Sequence, residues 1–172
     1  MITLRPTRFD DIHEIMQWVN DPEVLAQFAN FKTVSFEQEA EHLLRLLKSK
    51  DDFTYTVLCD GKYAGQASIN KIYWAALNGR LAIFLKKEYR GRGLGQTILK
   101  QLIAKAFDEI KLRKVWLIVR ENNTRARRLY EKVGMKKEAL LIDEYVDPAS
   151  GKFINMVRMC RINRKVKAVR SR

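Results

Sequence analysis

Between residues 81 and 110 the chain changes period, and a glycine-rich turn marks the change. Leu81-Ala82-Ile83-Phe84-Leu85 is a short apolar run that reads as a strand. Arg90-Gly91-Arg92-Gly93-Leu94-Gly95 follows, and then Ile98, Leu99, Leu102, Ile103, Ala106 and Ile110 recur at helical spacing. A strand that feeds a helix through such a turn directs the first N–H groups of the helix at one place. The helix dipole favours an anion there. Without side chains at Gly91, Gly93 and Gly95, a phosphate can come close to the backbone. The ligand expected here carries a phosphate or pyrophosphate. Taken alone, the turn is equally explained as a tight strand-to-helix connection.

The rest of the chain supplies a context for this turn. Ile2 to Arg5 reads as a first strand. Asp10 or Asp11 can cap a helix that carries Ile12, Ile15, Met16 and Val19 on one face. Asn20-Asp21-Pro22 ends it, and a second short helical piece starts at Pro22. Ser35 with Gln38 three residues on forms a capping box ahead of Phe36, Ala40, Leu43, Leu44 and Leu47. Phe53 to Cys59 and Tyr63 to Ile72 read as a hairpin about Asp60-Gly61, with Gly65 marking a weak point or bulge. A third run spans Gly79 to Leu85, so three consecutive strands make an antiparallel meander. Val115 to Val119 is wholly apolar, as for a strand buried on both faces. A helix with Ala126, Leu129, Tyr130 and Val133 is closed by Gly134. Two last strands flank Asp147 to Gly151, the second from Phe153 to Cys160. The expected fold is α+β, a mixed three-layer domain with one central, mostly antiparallel sheet flanked by helices.

Length and composition bound the function. A chain of 172 residues suits a single domain, here residues 1–160, followed by a basic tail over 161–172. No segment approaches the roughly 18 apolar residues of a membrane span, and the first residues lack the apolar core of a signal peptide. Two cysteines, Cys59 and Cys160, give no disulfide framework, so the expected compartment is the cytoplasm. His13 and His42 stand apart, with no metal-ligand spacing around them, and no metal is expected. Net charge is +13, which draws the protein to anions. Arg161, Arg164, Lys165, Lys167, Arg170 and Arg172 crowd the carboxyl terminus without an acid. The plain reading is a solvated tail, and the functional one is contact with RNA or a ribosome.

About 30 residues beyond the glycine-rich turn comes Asn123…Ala126…Leu129-Tyr130-Glu131-Lys132-Val133-Gly134. Together, Arg90-x-x-Gly93-x-Gly95 and this segment resemble the GNAT N-acetyltransferase superfamily. Leu4-Arg5-Pro6, Asp11 and Trp18-x-Asn20-Asp21-Pro22-Glu23-Val24 are similar to the branch of ribosomal-protein N-terminal and spermidine acetyltransferases. Phe36-Glu37-x-Glu39-x-Glu41-His42 is similar to acetyltransferases of nucleotide-linked amino sugars. The resemblance implies a splayed central sheet and acetyl-CoA as co-substrate. It places the pyrophosphate on the backbone of Gly91, Arg92, Gly93, Leu94, Gly95 and Gln96, with cationic support from Arg90 and Arg92. It pairs the pantetheine arm with Ile83, Phe84 and Leu85 as an added strand. It also implies contact of Asn123 with the cofactor, and makes Tyr130 the proton donor to the departing thiolate.

A thiol has a pKa of about 8.5, so the thiolate is a tolerable leaving group that a phenol can still assist. The attacking amine must first lose a proton, which is harder for a lysine-type amine near 10.4 than for an α-amino group near 8. Some ribosomal-protein acetyltransferases carry a glutamate base where this chain has Ile118. Glu121, Asp143 and Glu144 stay open as bases, as does water. The reaction expected is direct acetyl transfer to a primary amine in a ternary complex, the acceptor being a protein N-terminus or a nucleotide-linked amino sugar. The alternatives are a polyamine acceptor, disfavoured at long range by the net charge, and a basic cofactor- or RNA-binding protein with little catalysis. A homodimer is common in the family, and no residue here decides it.

Overall fold

A computed structural model describes residues 1–25 and 32–167. Seven strands form one sheet: β1 (Ile2–Pro6), β2 (Phe53–Cys59), β3 (Lys62–Tyr73), β4 (Asn78–Leu85), β5 (Lys114–Arg120), β6 (Lys136–Val146) and β7 (Phe153–Ile162). Their order is β1-β2-β3-β4-β5-β7-β6. Every neighbouring pair is antiparallel except β4 and β5. The helices are α1 (Ile12–Val19), α2 (Pro22–Leu25), α3 (Phe36–Lys48), α4 (Leu94–Ala104) and α5 (Thr124–Lys132). The architecture is the three-layer α+β one that the sequence predicts.

Local chemistry accounts for the elements. At α3 the Ser35 hydroxyl accepts the Gln38 N–H, and the Gln38 side chain accepts the Ser35 N–H in return. Asp60 and Gly61 both take positive φ, as a two-residue hairpin turn requires. The register slips between Val57 and Leu58 opposite Gly65. A Cβ on Gly65 would lie 2.1 Å from the Phe84 carbonyl oxygen, so β3 and β4 can approach only because the side chain is missing.

Alternation along the strands sorts the two faces. Tyr55, Val57, Ile69, Leu81, Val115, Leu117, Val157 and Met159 join Ile98, Leu99, Leu102 and Ile103 of α4 in the main core, against which Leu129 and Tyr130 of α5 pack. The opposite face meets α1, whose Trp18 stacks on Phe84 and donates to the Tyr63 hydroxyl. A second, smaller core joins Ile12 and Ile15 to Leu43.

The structure corrects four details. Asp11 does not cap α1 through its side chain. It is buried and accepts from Arg5, from the Arg8 N–H and from the Thr56 hydroxyl. Val115, Leu117 and Val119 are buried, but Trp116 and Ile118 are only half-buried, so β5 is covered fully on one face. Leu43 alone of the α3 leucines is buried, while Phe36, Leu44 and Leu47 stay exposed. Finally, β7 runs past Cys160 to Ile162, so a boundary at 160/161 cuts through a strand. Arg161 donates to the Val133 carbonyl, and Arg113 donates to the carbonyls of Asn163 and Val166. Up to Val166 the tail is therefore tied to the domain; residues 168–172, with Arg170 and Arg172, lie outside the described residues.

Candidate active site

β4 and β5 share only a short parallel ladder, Asn78–Arg80 against Lys114–Trp116. Beyond it the strands part. β4 continues to Leu85 against β3, while β5 continues to Arg120 against β7. The sheet thus contains the splayed gap that an added strand needs. Main-chain groups of alternate residues point to opposite edges. The Lys86 N–H bonds the Ala64 carbonyl on the β3 side, and the Phe84 carbonyl also lies against Gly65. Ile83 and Leu85 therefore turn their main chain into the gap, and Phe84 does not. The Leu85 carbonyl already accepts the Arg90 Nε–H at 2.7 Å, which leaves Ile83 and the Leu85 N–H on the open edge.

Past β4, Gly91 and Gly93 take φ of +80° and +76°, and Gly93 is the residue before α4. Only glycine adopts this backbone cheaply. A Cβ on Gly93 would meet nothing within 4 Å, so that side of the turn is open. Gly95 works differently: its Cβ would lie 3.1 Å from the Leu129 side chain, so its smallness lets α4 pack on α5. The first N–H groups of α4, beginning with Leu94 and Gly95, have no carbonyl in their own helix to bond; that of Gln96 makes only a long 3.4 Å bond to Gly93. Arg90 is committed to the Leu85 carbonyl, to the Phe84 ring and to Glu23. Arg92 lies over the Tyr89 ring.

Asn123 precedes α5, and its side-chain oxygen accepts the Ala126 N–H at 3.0 Å. Among the described residues its amide nitrogen has no hydrogen-bond partner. Tyr130 packs against the main core, and burial pushes its phenol pKa up. Among the described residues its hydroxyl has no hydrogen-bond partner. A neutral phenol with an unpartnered hydroxyl, one turn of helix beyond Ala126, is chemically able to donate a proton or a hydrogen bond.

At the end of β5 a cavity of about 420 Å³ is lined by Arg120, Glu121, Asn122, Asp147, Ile154 and Asn155. Asp147 is neutralised by Arg120 at 2.9 Å. Hydrogen bonding by Ser150 and Arg120 holds its carboxyl below the usual range against some burial. Glu121 has only a neutral partner there, the Asn155 amide at 3.0 Å. Asn155 also accepts the Asp143 N–H. It sits opposite a break in register between Leu141 and Tyr145, where β6 bulges. Of the three carboxylates open as bases, Glu121 lines the cavity, and Asp143 is brought near it through Asn155. No contact ties Glu144 to the cavity. Asn155 was not legible in the sequence, since only the bulge opposite it gives it a role.

On the α1 side of the sheet, Arg80 stands at the last paired position before the gap and Arg158 lies over Trp116. Gln66, Asn70, Arg80 and Arg158 each hold a buried side-chain nitrogen or oxygen with no partner among the described residues. No group of three or more metal-ligating side chains occurs among the described residues, and no described helix is long and apolar enough to cross a membrane.

A profile of the acetyltransferase (GNAT) domain matches residues 1–136. The chain belongs to the GNAT acetyltransferase family. It is an N-acetyltransferase, and its co-substrate is acetyl-CoA. It is 26% identical to spermidine N(1)-acetyltransferase of Escherichia coli K12 over 159 residues, 92% of this chain and 84% of that protein. It is 24% identical to acetyltransferase PseH of Campylobacter jejuni over 121 residues, 70% of this chain and 74% of that protein. Among solved structures, the spermidine N-acetyltransferase of Vibrio cholerae in complex with CoA and spermine superposes with a TM-score of 0.86 at 21% identity, covering 94% of this chain and 95% of that one. That last likeness is one of fold.

Proposed function

We propose that this enzyme acetylates a polyamine, by direct transfer from acetyl-CoA within a ternary complex. The observation that carries this reading is the likeness to spermidine N(1)-acetyltransferase over nearly the whole chain. It displaces a protein N-terminus as the first acceptor. The cavity beside Glu121 supports it locally, because a carboxylate with only an amide partner attracts an ammonium group.

The roles follow from the site. The amides from Gly91 to Gln96 receive the pyrophosphate at the positive end of α4. Ile83 offers the open strand edge to the pantetheine amides, and Asn123 offers its amide nitrogen. Tyr130 gives its proton to sulfur as the carbon–sulfur bond breaks and the carbon–nitrogen bond forms. The amine gives up its proton to Glu121 or to water. Neither Cys59 nor Cys160 takes part, and no acetyl-enzyme forms. Arg90, held by Leu85 and Glu23, shapes the turn, and Arg92 adds charge at its edge.

A second reading rests on Arg80 and Arg158. Two arginines with unpartnered nitrogens beside the gap suit an acceptor that carries phosphate, such as a nucleotide-linked amino sugar. One experiment separates the two. Purified protein is given acetyl-CoA with spermidine, spermine, an amino-terminal peptide or a uridine-diphosphate amino sugar, and released CoA is measured. Turnover on the polyamines far above the others is expected. Turnover confined to the sugar nucleotide or the peptide would sink the polyamine reading while leaving the acetyltransferase intact.

A further inference from the structure

At the far end of the sheet from the acetyl-CoA turn, a second cavity of about 570 Å³ is lined by residues from three distant stretches of chain. Trp74 to Leu77 come from the turn between β3 and β4, Arg113 from the approach to β5, and Arg164, Val166 and Lys167 from beyond β7. Strand β4, eight residues at about 3.3 Å each, puts about 25 Å between this cavity and the start of the acetyl-CoA turn.

The chemistry of this face is one-sided. Among the described residues, three cations and no carboxylate line the cavity. Asp51 accepts the Trp74 indole N–H at 2.7 Å, which fixes the ring. Lys114, beside Arg113, is paired with Glu138. Two aromatic residues stand out of the surface here: Trp74 is 42% exposed and Tyr73 is 62% exposed. An exposed ring beside cations offers a stacking face next to positive charge. The cations are also held in place, because Arg113 bonds the carbonyls of Asn163 and Val166 and so clamps Arg164 and Lys167 against the turn.

We infer that this face binds single-stranded nucleic acid, with bases stacked on Trp74 and phosphates on Arg164, Lys167 and the free nitrogens of Arg113. Charge complementarity with a chain of net charge +13 commits the occupant to a polyanion. The exposed rings favour unpaired bases over a duplex, whose stacked bases offer no face to an indole. The site is independent of the acetyl-transfer site, so the enzyme could be active while held on RNA.

The test uses the full chain and a fluorescently labelled single-stranded RNA, with affinity read by anisotropy across a salt series. The variants are Trp74→Ala, Trp74→Phe and the double reversal Arg164→Glu with Lys167→Glu. The double reversal is expected to weaken binding by tenfold or more. It should also flatten the log–log salt slope by about 1.4, since each phosphate contact on a single strand contributes about 0.7. Trp74→Ala should weaken binding by roughly tenfold, the scale of one lost stacking contact, and Trp74→Phe should restore most of it. Acetyl transfer should be unchanged in all three, which also shows that they fold. An unchanged affinity and slope in the double reversal overturns the site. So does equal affinity for duplex RNA, or full competition by inorganic phosphate, which would mark a simple anion pocket.

Discussion

Tyr130 is a phenol kept neutral by its surroundings. Burial raises its pKa above the ordinary phenol value, so it carries its proton at neutral pH. Tyr130→Phe is expected to lower kcat by roughly a hundredfold or more, the usual worth of a placed proton donor. KM for acetyl-CoA should hardly move, because the phenol acts late; a timed assay of CoA release reads both. Asp11 tests the scaffold instead. Burial alone would raise its pKa, but the bonds from Arg5, the Arg8 N–H and Thr56 outweigh that and hold it low in the fold. A carboxylate with a depressed folded pKa contributes stability that is present above its unfolded pKa near 3.9 and is lost as pH falls through the folded value. Asp11→Asn should therefore cost about 2–3 kcal/mol at neutral pH. The gap between wild type and variant in thermal midpoint should begin to narrow below about pH 4, where the unfolded chain binds a proton that the folded carboxylate still refuses.

At the level of elements, the close approach of β3 to β4 depends on one missing side chain. With the Phe84 carbonyl oxygen 2.1 Å from where a Cβ would be, Gly65→Ala must push the strands apart. A loss of about 3 kcal/mol or more in denaturant unfolding is expected, at the upper end of overpacking costs. The reverse exchange is available after α4, where the helix widens into a π turn and ends with Lys111 at φ +65°. Lys111 is exposed, so Lys111→Gly relieves the left-handed backbone and should stabilise by about 1 kcal/mol, read as a rise in thermal midpoint of about 2–4 °C. These elements were legible to different degrees. The capping box of Ser35 and Gln38 and the Asp60-Gly61 turn are local chemistry, and both formed as written. The apolar run of β5 was legible as a strand but not as one open on one face, because what covers a face is decided by other parts of the chain. Gly95 was legible as part of a turn, yet its contact is with Leu129 of another helix.

For the molecule as a whole, net charge and local charge pull in opposite directions. A chain at +13 repels a polycation at a distance, while a carboxylate such as Glu121 would attract one at close range. If spermidine is the acceptor, kcat/KM for it should rise as salt is raised from about 0.01 to about 0.1 M, which shortens the screening length from about 30 to about 10 Å. A steep fall over the same range would show that the local carboxylates govern the encounter. The sequence by itself determined the glycine turn into α4 and the helix that carries Tyr130. A strand, a glycine turn and a helix are contiguous, so Arg90 to Gly95 carry their geometry in local backbone preferences, and Asn123 and Tyr130 lie within one turn-and-helix segment. Tertiary structure alone decided the rest. The parting of β4 from β5 depends on how far a ladder between strands thirty residues apart extends. Asn155 gains its role from a bulge in the neighbouring strand. Trp74 lines one cavity with Arg164 and Lys167 only because the chain beyond β7 passes the start of β5, where Arg113 holds it, ninety residues later. Contacts of that kind leave no periodicity or spacing in a sequence, because either partner alone looks like ordinary exposed surface.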